Sequence, residues 1–193
     1  PLACTATVMI EIMGADITTK MPTMIKGAAL SCILSDTLEF RSPTTTDLDK
    51  SIAKKLAKDL GIDMKSYASQ LFTAKSDVSN YTDPELILMD SKKYDVGGKK
   101  LRISVMETTK PTEILKRKKS LLKAMEEIEE KEGVDQILFF VIDILKEEAT
   151  LLMPNNLVKE ITEKSFGKSS EGDTIVLPGI LSRKKQIIPQ LKL

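Results

Sequence analysis

The sequence predicts an α/β protein in two parts, a helical stretch over residues 1–75 and an α/β part with a mixed sheet over residues 84–193. Three observations carry this. Apolar residues recur at helical spacing in the first part. Residues 76–83 hold Ser, Asp, Asn and Thr, with Val78 the one strong apolar residue, which marks a linker. Beyond it, a Gly-Gly hairpin signal is followed by strand, helix and strand, so antiparallel and parallel pairing are both expected.

Val8–Met13 is apolar apart from Glu11 and reads as a helix. Met24–Leu34 is rich in Ala and apolar all round, which suits a helix buried on every face. It ends at Ser35-Asp36-Thr37, followed by the loop Ser42-Pro43-Thr44-Thr45-Thr46. Asp47–Leu60 is amphipathic, with Ile52, Leu56 and Leu60 four apart. Thr46 caps its start, Asp47 and Asp49 complement the positive helix end, and Gly61 suits the left-handed exit. Asp63–Thr73 reads as a further short helix.

In the second part, Val96 and then Leu101, Ile103 and Val105 flank Gly97-Gly98, a two-residue hairpin turn. Pro111 opens one helix of about 20 residues that Gly133 closes. Gln136–Ile142 is a continuous apolar run of the kind found in buried parallel strands. Leu157–Phe166 is a helix, Thr174–Leu177 a short strand, and Pro178-Gly179 turns the chain toward Ser182-Arg183-Lys184-Lys185-Gln186. No internal repeat or low-complexity segment is present.

Composition narrows the chemistry. The 193 residues carry 29 Lys+Arg against 28 Asp+Glu, a net charge of +1, which argues against a nucleic-acid binder. Five Phe, three Tyr and no Trp leave no platform for stacking bases. There is no His, so a Ser-His-Asp triad, a Cys-His dyad and an imidazole zinc site are excluded within this chain. Cys4 and Cys32 sit among small and apolar residues and read as buried free thiols of a cytosolic protein, although a disulfide between them stays open. The longest apolar run, Ile137–Ile142, stops at Asp143, far short of a membrane span, and no signal-peptide pattern opens the chain. Pro1 suits either loss of an initiator Met or a chain that begins within a domain.

Three charged segments are candidates for function. Asp36 follows a helix expected to be buried, where a carboxylate is costly unless it is paired or binds a cation. On spacing alone, a turn in which Asp36 accepts from the next amides is the simpler reading. Arg183-Lys184-Lys185 places three cations between the apolar flanks Ile180-Leu181 and Ile187-Ile188. Arg offers a planar fork suited to phosphate and Lys a compact charge, though a solvated basic loop fits the local pattern too. Lys116-Arg117-Lys118-Lys119 and Glu126-Glu127 with Glu129-Glu130 read as a solvated helix face with intrahelical pairs.

Cys4-Thr5-Ala6-Thr7, Leu34-Ser35-Asp36-Thr37, Ser42-Pro43-Thr44-Thr45-Thr46 and Ser182-Arg183-Lys184-Lys185-Gln186 together resemble the manganese-dependent (family II) inorganic pyrophosphatases of the Asp-His-His phosphoesterase superfamily. The resemblance runs from residue 1 to about 190, and the Ser-Arg-Lys-Lys-Gln segment is its most specific piece. It implies the mostly helical remainder of an Asp-His-His domain over 1–75, followed by a smaller, substrate-binding α/β domain, the DHHA2 domain, over 84–193. Asp36 then matches a metal ligand, Lys92 of Asp90-Ser91-Lys92 a phosphate-binding lysine, and Arg183 and Lys184 the phosphate-binding pair. Lys185, Thr5 and Thr7 match less securely.

The implied reaction is hydrolysis of pyrophosphate in the cytoplasm by water activated between two metal ions roughly 3.5–4 Å apart. The implied metal is Mn2+, or alternatively Co2+ or Mg2+, in a homodimeric parent whose domains close over the substrate. No nucleic acid or membrane partner is implied. The family's His- and Asp-rich first third is missing, so this chain resembles the C-terminal two-thirds of such an enzyme and is expected to be inactive alone. Two alternatives stand beside this reading: a short-chain polyphosphatase of the same superfamily, and a non-catalytic phosphate-binding or oligomerisation fragment.

Overall fold

The computed structural model describes residues 2–193; Pro1, with the reading of the chain's start that rested on it, lies outside them. The chain divides into two units, Pro1–Lys75 and Ser76–Leu193.

The first unit is helical: α1 (Thr5–Lys20), α2 (Thr23–Thr37), α3 (Asp47–Leu60) and α4 (Met64–Lys75). Gly14 (φ 73°, ψ 174°) bends α1 in its middle, a conformation that a Cβ would disfavour. α3 starts as its sequence predicts. The Thr46 hydroxyl accepts from the Asp49 amide, the Asp49 carboxylate accepts from the Thr46 amide, and Gly61 takes the left-handed exit at φ 65°.

α2 departs from expectation. Leu30, Ile33 and Leu34 are buried against the neighbouring helices, but Met24 is 85% and Ile25 53% exposed, so the helix is not buried on every face. A uniformly apolar sequence carries no phase, so periodicity could not say which side faces solvent. Cys4 is buried, but Cys32, on α2, is exposed, against the expectation of two buried thiols; both are free.

In the second unit a sheet of order β1-β2-β3-β4-β5 is built from Ser91–Val96, Lys99–Thr108, Gln136–Asp143, Glu148–Leu152 and Thr174–Pro178. β1 and β2 form the hairpin across Gly97-Gly98, with Lys92 opposite Ile103. β2 and β3 are parallel, with Ile103 opposite Leu138; the β3–β4 and β4–β5 pairs are antiparallel. β3 is buried at every position, as a central strand covered on both faces must be. On one face, Met106, Ile137, Phe139, Val141 and Leu152 pack with Leu86, Ile87, Leu121, Met125 and Ile128 from α5 (Asp83–Met89) and α7 (Lys118–Glu132). On the other, Phe140 meets Phe166 of α8 (Asn156–Phe166) edge to face at 6.3 Å.

Residues 76–83 lie within this unit. The Ser76 hydroxyl accepts from the Thr109 amide at 2.8 Å, and Val78 is buried in the core. The single helix expected from Pro111 to Gly133 is two, α6 (Pro111–Leu115) and α7, broken at Lys116-Arg117. Arg117 is not on a solvated face: its guanidinium donates to Asp83 at 2.8 Å and to the Tyr81 carbonyl at 2.8 Å. Lys118 reaches Asp173 at 2.7 Å.

Candidate functional site

In the first unit, two of the sequence motifs meet at Asp49. This carboxylate is fully buried and accepts from the Thr7 hydroxyl (2.6 Å), the Thr46 hydroxyl (2.6 Å), the Thr46 amide (2.8 Å) and the Ala3 amide (3.3 Å). Burial pushes its pKa up, but these donors outweigh burial and hold it below the usual 3.8. The conspicuous Thr7 and Thr46 are thus spent on structure.

Asp36 sits in the last turn of α2 and is exposed. Burial first, and then the nearby Asp36 carboxylate, push the Cys4 thiol up to about 12, so Cys4 stays protonated. Behind Asp36 the chain makes a left-handed turn at Leu38, Glu39 and Phe40 (φ 51°, 51° and 71°). Such φ values cost non-glycine residues about 1–2 kcal/mol each. The turn is held by Glu39 N–H to the Leu34 carbonyl (2.9 Å), Ser42 N–H to the Thr37 carbonyl (2.9 Å) and burial of Leu38.

Asp36 alone does not make a metal centre. Among the described residues, no group of three or more Cys, Asp or Glu side chains converges, and the chain has no His. Its residues therefore do not by themselves fit a two-metal site, and no metal-borne step is assigned to them.

In the second unit, the Ser182–Gln186 segment is not an ordinary basic loop. It forms one turn of π-helix over Arg183–Ile187, in which the Ile187 amide donates to the Ser182 carbonyl at 3.0 Å. The polar ends of the motif build it. Gln186 Oε1 accepts from the Leu181 and Ser182 amides (2.9 and 3.0 Å), its Nε2 donates to the Gly179 carbonyl (2.6 Å), and the Ser182 hydroxyl accepts from the Lys185 amide (3.3 Å). Ile187 is fully buried and anchors the turn to the core. π-Turns of this kind occur frequently at functional sites.

Arg183 is fixed, 13% exposed at its side chain. Its Nη1 donates to the Asp90 carbonyl (2.8 Å) and the Ile103 carbonyl (3.4 Å), and its Nη2 to Asp90 Oδ1 (2.7 Å). Lys92 stands opposite Ile103 in the β1–β2 ladder, so Lys92 and Arg183 attach to the same rung. Lys92, Lys184 and Lys185 are exposed, and none meets a carboxylate within ion-pair distance among the described residues. The structure thus places Lys92, in β1, and Arg183 at the two sides of Ile103, with Lys184 on the same turn as Arg183, and leaves Asp36 in the other unit. Sequence reasoning named Asp90 only as part of a motif; its spacing to Arg183, 93 residues on, carries no local signal.

The model of the DHHA2 domain matches residues 69–193. The manganese-dependent inorganic pyrophosphatase of Methanocaldococcus jannaschii is 39% identical over all of this chain and 64% of its own length. The manganese-dependent inorganic pyrophosphatase of Bacillus subtilis is 35% identical over 99% of this chain and 61% of its own. A crystal structure titled as a family II inorganic pyrophosphatase of Methanococcus jannaschii superposes with a TM-score of 0.84 at 39% identity, over 98% of this chain and 64% of that one. The chain therefore spans 61–64% of the length of these relatives. Asp90, strand β1 with Lys92, the mixed sheet and the 182–186 turn all lie inside the matched domain, and the chain belongs to the DHHA2 domain family.

Proposed function

We propose that this chain is the substrate-gripping part of a manganese-dependent inorganic pyrophosphatase, which transfers a phosphoryl group of pyrophosphate to water. The observation that supports this reading is the shared rung at Ile103: its carbonyl takes the fixed Arg183 guanidinium, and its ladder partner is Lys92, which is exposed and has no ion-pair partner among the described residues. Arg183 pairs with two oxygens of one phosphate, while Lys92 and Lys184 offset the negative charge that grows on the leaving phosphate. Asp36, exposed in the last turn of α2, supplies one ligand to the metal, and the other ligands come from a segment outside these 193 residues. The similarity to enzymes named as manganese-dependent supports Mn2+ as the metal. Two free thiols support a reducing, cytoplasmic setting.

The test is a chimera in which this chain replaces the matching segment of the M. jannaschii enzyme. The expected result is Mn2+-stimulated release of phosphate from pyrophosphate, faster than from tripolyphosphate. Lys92→Ala and Arg183→Ala should each lower kcat/KM by about 10²-fold, the scale of one lost charged transition-state contact. Asp36→Asn should raise the Mn2+ concentration needed without lowering the melting temperature. A folded chimera that prefers tripolyphosphate would favour a polyphosphatase, and one with no turnover would overturn the reading.

A further inference from the structure

We infer that Asp90 is the positioning residue of the phosphate grip: it ties down one edge of the Arg183 guanidinium and thereby presents the other edge to a single phosphoryl group. The inference rests on the phosphate reading above and adds a residue to it.

A guanidinium carries N–H donors on two usable edges, an end edge shared by Nη1 and Nη2 and a side edge shared by Nε and Nη2. Asp90 spans the end edge with two atoms of one residue, its carbonyl on Nη1 and its Oδ1 on Nη2. The Ile103 carbonyl takes the other Nη1 proton. Among the described residues, what remains is the Nε–H and the second Nη2–H, which are parallel and spaced to meet two oxygens of one phosphate.

The anchor itself is rigid. The Asp90 carbonyl also accepts from the Val105 amide at 2.9 Å, so Asp90 cannot shift without disturbing the start of the β1–β2 ladder. The ion pair adds little stability of its own, because the Asp90 side chain is 55% exposed and water screens it. Its effect lies in orientation. An arginine held in one rotamer before the anion arrives loses less entropy on binding. A carboxylate so close also weakens the local positive field, so the opposite role, a plug that competes with phosphate, predicts the opposite sign on removal. Lys92, two residues further on in β1, supplies positive charge that Asp90 does not pair with.

The experiment titrates inorganic phosphate into the 193-residue chain, reading affinity by calorimetry and the Arg183 Nε–H signal by NMR. Wild type is expected to bind saturably with a shift of that signal. Asp90→Ala should weaken binding about tenfold or more at unchanged melting temperature, with the Nε–H signal broadened. Asp90→Asn should recover most of the affinity, because its amide oxygen accepts the same Nη2–H bond. If Asp90→Ala fails to fold, Asp90→Ser takes its place. Binding by Asp90→Ala as tight as wild type or tighter would overturn the positioning role, as would an Asp90→Asn variant no better than Asp90→Ala. No saturable binding by wild type would overturn the phosphate grip itself, and the role of Asp90 with it.

Discussion

Asp49 shows how far local spacing reaches at the scale of single residues. Its cap with Thr46 is legible three residues away, as a polar residue on each side of a helix start. Its bond to Thr7, 42 residues away, is not, because a hydroxyl in a helix names no distant partner. The same limit hides the bond between Asp90 and Arg183. Asp49→Asn should destabilise the first unit by about 1.5–3 kcal/mol, the scale of hydrogen bonds to a charged group. It should also change the pH dependence. The folded pKa of Asp49 lies below its unfolded value, so its contribution is complete above pH about 4 and is lost as pH falls through the folded value. Denaturant melts between pH 6 and pH 3 should show a smaller loss of stability for Asp49→Asn than for wild type; equal losses would remove Asp49 as the source.

Elements are legible where pattern has a phase. α3, the Gly97-Gly98 hairpin and β3 stand where apolar spacing and turn residues put them. Strand β4 carries no such mark. Its turn from β3 uses Glu147 at φ 56° rather than a glycine, and the charged run Lys146-Glu147-Glu148 leads into it. The polar composition of residues 76–83 masks the start of α5, although Thr82 and Glu85 form a capping box. The break between α6 and α7 coincides with a tertiary contact, the bond from Arg117 to Asp83 across 34 residues, which local spacing does not reveal. The central strand should tolerate little. Phe139 is fully buried between β3 and the α5–α7 layer, and Phe139→Ala should cost about 3–5 kcal/mol in chemical denaturation. A loss below about 1 kcal/mol would mean that this layer repacks around the gap.

For the whole molecule, the division of chemistry follows the division into units. Asp36 belongs to Pro1–Lys75, and Lys92, Arg183 and Lys184 belong to Ser76–Leu193. The family is legible from four short motifs, but the structure gives two of them, Cys4–Thr7 and Ser42–Thr46, roles that are partly structural: Thr7 and Thr46 hold Asp49. The motif at 182–186 divides its labour, with Ser182 and Gln186 building the turn and Arg183 reaching the β1–β2 rung. A rung and turn built this way should grip phosphate in the absence of any metal. Calorimetric titration of pyrophosphate into the 193-residue chain reads that grip without the missing segment. Saturable one-to-one binding without hydrolysis is expected, weakened about ten- to a hundredfold by Arg183→Ala and by Lys92→Ala, as the loss of a charged hydrogen bond requires. Affinity unchanged in both variants, or no saturable binding by wild type, would contradict the grip.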